Sequence, residues 1–325
     1  MRVLLDTSFT LRGPSGTAIY IDRLAAALLA EGVDLVTVAN RRRGDPGQGP
    51  AQSAANLLSD IRWSSLELPR LARAARVDVI HHPLPTHSPW APAPQVITVH
   101  DLAFLTLPGM FDPRFARWAR LTHRLAARRA DAVICVSQAT RAELRTHFGV
   151  DGLVAHHGPG QAPPIPPPRS AARHFLYVGD DEPRKDLATL RAAHARLGAA
   201  APPLEIAGGA GAPVSRERLQ QLHAGAIALV HPARTEGFGL TVLEAMAMGT
   251  PVIAARSPAT LEVGGPAIRY FQPGDVLALT AEMSRLASDP PARAALTAAG
   301  LARASTFTWR ASARAHIEAY TLACR

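Results

Sequence analysis

Lysine is the residue that this sequence most conspicuously lacks, since one lysine, Lys185, accompanies 34 arginines in 325 residues. Such a preference for arginine is typical of a GC-rich genome. The net charge of +9 therefore says little about partners, because a basic total without a nucleic-acid-binding motif is weak evidence for such an activity. We expect no nucleic acid among the partners.

Cysteines, metal-ligand clusters and long apolar runs are scarce as well. Cys135 and Cys324 are too few for a disulfide framework or a zinc site, and Cys135, inside the apolar run 132–136, is expected to be buried and inert. No His, Cys or Asp cluster has metal-ligand spacing, so we expect no metal cofactor. No run reaches the ~18 apolar residues of a membrane span, and the N-terminal apolar run is too short for a signal peptide. These absences predict a cytoplasmic protein in a reducing compartment.

What the sequence does contain is a hydrophobic fraction of 47%, enough to build the cores of two domains at this length. Short apolar runs alternate with amphipathic stretches, which is typical of βαβ units with parallel strands. The proline-rich residues 158–168 predict a stiff linker, with one Rossmann-like α/β domain at residues 1–162 and a second at 163–325. Ligands of such sheets bind beyond the carboxyl ends of the strands, so we expect the two domains to face each other across a cleft that holds the chemistry.

The boundaries of the elements follow from this alternation. The predicted strands are 3–5, 35–39, 77–81, 96–99, 132–136, 174–178, 204–207, 227–230 and 251–254. The predicted helices are 17–30, 65–75, 113–129, 138–147, 185–197, 215–223, 239–248, 275–287, 291–304 and a final helix at about 308–324, and the polar segment 41–56 is predicted to be a loop.

The segment 231–252 has the pattern of a strand end, a glycine-rich turn and a helix. The turn Gly237-Phe238-Gly239 precedes a helix that opens near Leu240, and the N–H groups and positive dipole of such a helix start suit a phosphate. Glu236 at the turn and Glu244 on the second helical turn can grip two hydroxyl-bearing parts of one ligand. The alternative is that Glu236 caps the helix and Glu244 is a solvated surface residue.

A second motif places two cations, Arg184 and Lys185, at the start of the helix that follows strand 174–178. Cations at a helix N-terminus oppose the helix dipole, so this placement suits a bound anion. Arginine can clamp a diphosphate through two parallel hydrogen bonds, and lysine supplies a compact charge. The alternative is surface ion pairing with Asp181, Glu182 or Asp186.

Three features of the first half follow predicted strands. Gly16 and Thr17 open the first helix, and their small size lets a ligand approach the backbone. His100 ends the fourth strand, where it can hydrogen-bond a substrate or stabilise developing charge; the alternative is a structural histidine tied to a backbone carbonyl. Arg41-Arg42-Arg43 would suit a 2′-phosphate, so an NADP-dependent oxidoreductase is an alternative function, although the fingerprint G-x-G-x-x-G is missing.

Together these segments resemble the family 4 glycosyltransferases of the GT-B fold, over nearly the whole chain. Glu236 and Glu244 resemble the family's E-x7-E signature, and the run Glu182 to Lys185 resembles its E-P-R-K-N, with Asp186 in place of the asparagine. His100-Asp101-Leu102 resembles the H-D-L of mannosyl- and rhamnosyltransferase-like members. Further matches are 130–137, 154–158 and 306–309, the last at the start of the helix that in this fold returns to pack on the first domain.

The resemblance implies an enzyme that transfers a sugar from a nucleotide-diphosphate sugar with retention of anomeric configuration and without a metal. It implies that Arg184 and Lys185 hold the diphosphate, Glu236 positions the donor sugar and Glu244 binds the ribose. Residues Gly237, Phe238, Gly239 and Leu240 would contact sugar or phosphate through their backbone, Gly16 and Thr17 would approach the diphosphate, and His100 would contact the sugar near the reacting carbon. The subgroup favours GDP-mannose as donor, and relatives often use a lipid-linked saccharide as acceptor.

Two departures from the family pattern concern the ligand loops. The chain between residues 208 and 226 is shorter than in relatives, which usually carry an extra strand there and a loop near the nucleobase. Ala18 stands where the family usually has glycine. The short region leaves a further alternative open, in which a catalytically inactive GT-B protein binds the donor and serves as a scaffold.

The stretch 113–129 is amphipathic and rich in arginine. Arginines 117, 120, 124 and 128 fall on one stripe of the predicted helix, and Phe115, Trp118, Leu121 and Leu125 on a neighbouring face. We expect this apolar face to lie in the domain core and the arginines in solvent. The alternative is a helix that lies on anionic lipid and holds the protein peripherally at the inner face of the membrane.

Overall fold

The computed structural model describes residues 1–13, 15–44, 49–160, 171–209 and 214–325. These residues form two compact units, the first made of Met1–His157 with Trp309–Arg325 and the second of Gly158–Thr308. The predicted linker lies outside the described residues from 161 to 168, and so does the predicted domain boundary between 162 and 163.

The first unit is built on a parallel sheet of six strands in the order β2-β1-β3-β4-β5-β6. The strands are β1 Arg2–Asp6, β2 Asp34–Val38, β3 Val79–His82, β4 Gln95–Val99, β5 Ala132–Cys135 and β6 Leu153–Val154. The helices are α1 Gly16–Ala30, α2 Pro50–Arg62, α3 Leu68–Ala75, α4 Ala103–Thr106, α5 Pro113–Arg129 and α6 Gln138–Phe148. β3, β4 and β5 are fully buried, as expected of parallel strands that are covered on both faces.

The prediction of a loop over 41–56 is wrong from residue 50 onward. Pro50 is the first residue of α2, a position where the missing N–H of proline costs no hydrogen bond, and the helix then runs through alanine-rich sequence. A π-helical turn, Trp63–Glu67, joins α2 to α3. Residues 45–48 of the predicted loop lie outside the described part of the chain.

The second unit repeats the design with five parallel strands in the order β11-β10-β9-β7-β8. The strands are β7 His174–Val178, β8 Leu204–Ala207, β9 Ala226–His231, β10 Val252–Ala255 and β11 Arg269–Phe271. The helices are α7 Leu187–Arg196, α8 Arg216–Gly225, α9 Leu240–Ala247, α10 Pro258–Gly264, α11 Val276–Ser288 and α12 Pro290–Ala304. The predicted strands of both units are confirmed within two residues, whereas β6, β11 and α10 were not expected from the sequence.

The last helix, α13 Trp309–Ala323, belongs to the first unit, as the resemblance implied. Its buried residues Ala313, Ala319 and Tyr320 join one core cluster with Tyr20 of α1 and with the apolar residues of β1 and β5. The chain therefore passes through the second unit and finishes in the core of the first.

The sequence predicts neither membrane-spanning segments nor metal-ligand clusters. Among the described helices, none has the length and apolar character needed to cross a bilayer. The described part of the chain also contains no group of three or more His, Cys, Asp or Glu side chains that could hold a metal ion. Cys135 is buried, and burial raises the pKa of its thiol to about 12, so it is inert at neutral pH as predicted.

Candidate functional site

The switch point of the second sheet lies between β7 and β9, because β8 extends the sheet on one side of this pair and β10 on the other. Ligands of open parallel sheets bind beyond the carboxyl ends of the strands at such a point. Arg184 and Lys185 follow β7, and Glu236 follows β9. The structure thus brings the two predicted cations and the first predicted carboxylate to one place.

Glu236 lies at the centre of this cluster, with its side chain only 12% exposed. Its Oε1 is 2.5 Å from Lys185 Nζ and 3.1 Å from His231 Nε2, and its Oε2 is 3.9 Å from an Nη1 of Arg184. Arg184 also donates from Nε to Glu182 over 2.8 Å. The predicted alternative of local ion pairing therefore holds for Arg184, while Lys185 pairs across 51 residues of sequence.

Glu236 carries its negative charge at neutral pH. Burial by itself raises the pKa of this carboxyl, but the charge of Lys185, the close contact with His231 and the charge of Arg184 outweigh it and hold the pKa well below its usual range. A buried carboxylate that stays ionised can orient the hydroxyl groups of a bound sugar.

The loop with the two cations is anchored by contacts that sequence reasoning missed. Pro183–Lys185 form a 3-10 turn, and Asp186 follows with φ of +51°. Arg234 holds this turn, because its Nε is 2.9 Å from Asp186 Oδ2 and its backbone N–H donates to the carbonyl of Arg184 over 2.9 Å. Aspartate shares with asparagine an unusual tolerance of positive φ, so the departure from the family's asparagine at Asp186 is compatible with this geometry.

The start of α9 lies directly after Glu236. Gly239 is the N-cap with φ of +96°, and no side chain caps the helix, so the alternative that Glu236 is a capping residue is wrong. Phe238 is buried and its ring lies 6.0 Å from that of Phe307, which fixes the turn between Gly237 and Leu240. The positive end of α9 is therefore available for a phosphate, next to the loop that contains Arg184 and Lys185.

Glu244, four residues into α9, is buried. The alternative of a solvated surface residue is wrong, because α9 packs between other elements of the unit and its second turn lies inside. Glu244 therefore lies inside the unit, where buried polar groups are normally hydrogen-bonded.

The end of β8 lies close to Gly179, which follows β7. Gly208 and Gly209 have φ of +83° and +82°, and a Cβ on Gly208 would lie 3.0 Å from the carbonyl oxygen of Gly179. Glycine is needed at both positions, since L-residues with side chains rarely adopt this backbone. Residues 210–213 of the shortened region lie outside the described residues, and α8 begins at Arg216.

The remaining predicted residues, Gly16, Thr17 and His100, belong to the first unit. Gly16 and Thr17 form the first turn of α1, after the cap in which Ser15 Oγ accepts from the N–H of Ala18. His100 follows β4, and its Nε2 donates to the carbonyl oxygen of Pro83 over 2.9 Å.

The bond from His100 Nε2 to the Pro83 carbonyl matches the alternative of a structural histidine. This bond does not involve Nδ1, the other ring nitrogen. Burial lowers the pKa of His100, although the bond to Pro83 and the charge of Asp101 act in the opposite direction. The ring is therefore neutral at pH 7 with its proton on Nε2, and Nδ1 is a hydrogen-bond acceptor.

Comparison with known proteins places this fold and these motifs in a family. The model of Glycosyltransferase Family 4 matches residues 14–158, and that of Glycosyl transferases group 1 matches residues 212–303. O-antigen chain mannosyltransferase B from Escherichia coli is 28% identical over 284 residues, which cover 75% of this chain and 74% of that protein. D-inositol 3-phosphate glycosyltransferase from Streptomyces scabiei is 38% identical over 119 residues, which cover 34% of this chain and only 25% of that protein.

Solved structures share the fold over the full length. Sucrose-phosphate synthase from Thermosynechococcus elongatus has a TM-score of 0.81 at 20% identity and covers 99% of this chain and 98% of that one. HepE from Anabaena in complex with UDP and glucose has a TM-score of 0.68 at 17% identity, with 98% of both chains covered.

The two family models identify the chain as a glycosyltransferase, and the solved structures show that its fold is GT-B. Within that class its sequence is family 4-like, because the family 4 model matches residues 14–158 and the E-x7-E and E-P-R-K segments resemble that family's signatures. The alternative of an NADP-dependent oxidoreductase is not supported, because both matching family models are those of glycosyltransferases.

Proposed function

We propose that this glycosyltransferase moves a mannose-like sugar from a nucleotide-diphosphate sugar, with GDP-mannose favoured, to an acceptor and retains the anomeric configuration. The observation that carries the proposal is the cluster of Arg184, Lys185 and Glu236 beside the start of α9. The mannosyltransferase name of the Escherichia coli relative supports the choice of sugar.

In this reaction the leaving group is a nucleoside diphosphate, so the protein has to stabilise developing negative charge on phosphate oxygens. Arg184, Lys185 and the helix start do so without a metal. The ammonium group of Lys185 has three donors, so it can bond a phosphate oxygen while it still faces Glu236. Glu236 positions the sugar hydroxyls, Glu244 binds the ribose, Gly16 and Thr17 approach the diphosphate, and His100 contacts the donor sugar.

The transfer step proceeds on one face of the sugar. The bond between the anomeric carbon and the diphosphate oxygen breaks, and a bond to the acceptor oxygen forms on the same face. The acceptor proton passes to the leaving phosphate, so no separate protein base is required. Retention follows from this geometry.

A thermal-shift screen tests the donor. The protein is heated with GDP-mannose, UDP-glucose, UDP-N-acetylglucosamine and dTDP-rhamnose at equal concentrations, and nucleoside diphosphate release is measured for each. We expect GDP-mannose to raise the melting temperature most. A ligand at 100 times its Kd stabilises a protein by about 2.7 kcal/mol, and at equal concentrations the donor that binds most tightly gives the largest stabilisation. A larger shift with a uridine donor contradicts the choice of GDP-mannose, and no shift and no turnover with any donor contradicts the proposed function and favours the scaffold alternative.

We further propose that α5 docks on an anionic bilayer, which suits a lipid-linked acceptor. The expectation that its large apolar residues lie in the core is wrong, because α5 packs through Ala119, Ala126 and Ala127. Small residues let the helix approach its unit closely, so the large ones point outward. Trp118 is 54% and Leu121 67% exposed, and Phe115 and Leu125 are exposed too.

Charge complementarity identifies the lipid. The helix contains no acidic residue, and each arginine near an anionic bilayer contributes about 1 kcal/mol of attraction. Phe115 lies 6.1 Å from Phe111 and 6.2 Å from Trp118 between ring centroids, so the apolar surface is continuous and can enter the headgroup region. The exposed arginines of α5 are 114, 117, 120, 124, 128 and 129.

Co-sedimentation with vesicles tests this docking. We expect the protein to pellet with phosphatidylglycerol vesicles at low salt, to bind less at high salt and not to bind phosphatidylcholine. The double variant Trp118→Ser/Leu121→Ser is expected to lose at least tenfold in binding. The matched control, Trp90→Ser/Leu277→Ser, removes an equally exposed tryptophan and leucine outside α5; an equal loss in both variants, or no binding by the unmodified protein, contradicts the docking.

A further inference from the structure

A chain of hydrogen bonds runs through the core of the first unit, and it connects two residues of α13. Tyr320 Oη lies 2.8 Å from His81 Nδ1, and His81 Nε2 lies 2.9 Å from Thr98 Oγ1. Tyr20 Oη lies 2.8 Å from Thr98 Oγ1 and 2.8 Å from His316 Nε2. All five side chains are completely buried. We call them the His–Tyr chain.

The carbonyl of Ser312 determines which atom donates in each of these bonds. His316 Nδ1 lies 2.7 Å from Ser312 O, which can only accept, so Nδ1 carries a proton. Burial lowers the pKa of His316 to about 4, so the ring is neutral and its Nε2 accepts from the hydroxyl of Tyr20. Thr98 then donates to Tyr20, and His81 Nε2 donates to Thr98. Tyr20 is thus held by one bond that it donates and one that it accepts.

Tyr20 also touches the histidine at the end of β4. The centroids of the Tyr20 and His100 rings lie 4.8 Å apart with an interplanar angle of 81°, an edge-to-face contact. His157 lies 4.8 Å from Tyr20 and stacks on Trp309 of α13 at 5.5 Å and 20°. His100 is therefore fixed by the Pro83 carbonyl on one nitrogen and by Tyr20 against its ring.

We propose that Tyr20 and His316 are positioning residues for His100, so that the C-terminal helix sets the orientation of this imidazole for sugar transfer. The proposal rests on the proposed function in one respect, namely that His100 contacts the donor sugar.

The chemistry of the His–Tyr chain points to this role more than to simple packing. An apolar core would hold α13 on the first unit without the desolvation of two histidines and three hydroxyls, whereas a fully satisfied polar network selects one arrangement. The arrangement that it selects includes the rotation of Tyr20, and Tyr20 is the member that contacts His100.

Kinetic measurement on matched variants tests the proposal. Tyr20→Phe keeps the ring and removes the hydroxyl, and His316→Leu removes both ring nitrogens. With GDP-mannose we expect each to lower kcat about tenfold or more, because small displacements of a group near the reacting atoms are costly, while KM for the donor changes less than threefold. His316→Gln restores an acceptor to Tyr20 and is expected to recover most of kcat. The control, Tyr270→Phe, removes a hydroxyl that bonds the Thr260 and Gly265 carbonyls in the second unit and is expected to leave kcat unchanged.

A double-mutant cycle with His100→Ala shows whether the effect passes through His100. In that background Tyr20→Phe is expected to have no further effect on kcat, because the residue that it positions is gone. An undiminished tenfold effect of Tyr20→Phe in the His100→Ala protein overturns the proposal and assigns Tyr20 a role in packing alone.

Nitrogen-15 NMR of the histidine rings gives a readout that does not need turnover. In the unmodified protein we expect His100 as the single Nε2-protonated tautomer at pH 7.5, and in Tyr20→Phe and His316→Leu a shifted or broadened signal. Unchanged His100 signals in both variants overturn the positioning role even if no donor is turned over. Absence of donor binding with altered His100 signals contradicts the proposed function and leaves the coupling of α13 to His100 supported.

Discussion

Replacement of Lys185 by methionine is expected to lower kcat for sugar transfer by about 100- to 1000-fold, the loss typical of removing one group that stabilises transition-state charge. Lys185 is the only lysine in the chain, and its Nζ lies 2.5 Å from Glu236 beside the start of α9. The release of nucleoside diphosphate under saturating donor measures the effect. Arg196→Met, which removes an exposed cation from the end of α7, serves as the control for net charge and is expected to retain full activity.

Stability measurements separate the charge of Lys185 from its role in folding. Removal of one partner of a buried ion pair costs about 3–5 kcal/mol, because a buried charge is left uncompensated. Lys185→Met is therefore expected to unfold at lower urea concentration than the double variant Lys185→Met/Glu236→Gln, in which no charge is left over. The double variant is expected to remain inactive. Equal stability of the two variants, or activity in the double variant, contradicts this account.

Acidification is expected to destabilise the first unit. Burial lowers the pKa of His316 to about 4, whereas an exposed histidine titrates near 6.5. Between pH 6.5 and 4 the unfolded chain takes up a proton that the folded chain refuses, so the free energy of unfolding falls as the pH falls through this window. A difference of this size corresponds to about 3 kcal/mol. Burial also lowers the pKa values of His81, His100 and His157, so they act in the same direction.

Urea unfolding at pH 7.5 and pH 5 measures this effect while exposed carboxylates stay ionised. One group opposes it, because burial and the charge of Asp101 raise the pKa of Glu143 to about 7, and this carboxyl favours the folded state as the pH falls. The comparison with His316→Gln removes that contribution, since Glu143 is present in both proteins. We expect the loss between the two pH values to be smaller in the variant; an equal loss contradicts a neutral, buried His316.

Much of the candidate site could be predicted from short segments. The E-x7-E pair (236–244), the E-P-R-K run (182–185) and the glycine-rich turn (237–239) are each short, local segments, and the strands before them are apolar enough to locate. His231 and Arg234 were missed. His231 is the last residue of β9, at a carboxyl end where ligand-binding residues lie, so its position was a usable signal. Arg234 had no such signal, because it acts through a residue of another loop.

The faces of helices were less predictable than their bounds. The spacing of Phe115, Trp118, Leu121 and Leu125 predicts a core face, but α5 buries alanines instead. Periodicity identifies which residues share a face, and it does not say which face a neighbouring element covers. Close packing through small residues reversed the expected orientation.

Local sequence patterns were sufficient to locate most of the strands and helices, the parallel α/β class and the chemical type of the ligand motifs, because propensity, capping and apolar periodicity act over a few residues. Tertiary packing brings Lys185 to Glu236, turns the aromatic residues of α5 outward, and joins residues 20, 81, 98, 316 and 320 in one hydrogen-bonded chain. These contacts join positions up to 296 residues apart, and they arise from the way whole helices and sheets pack, which no local pattern encodes.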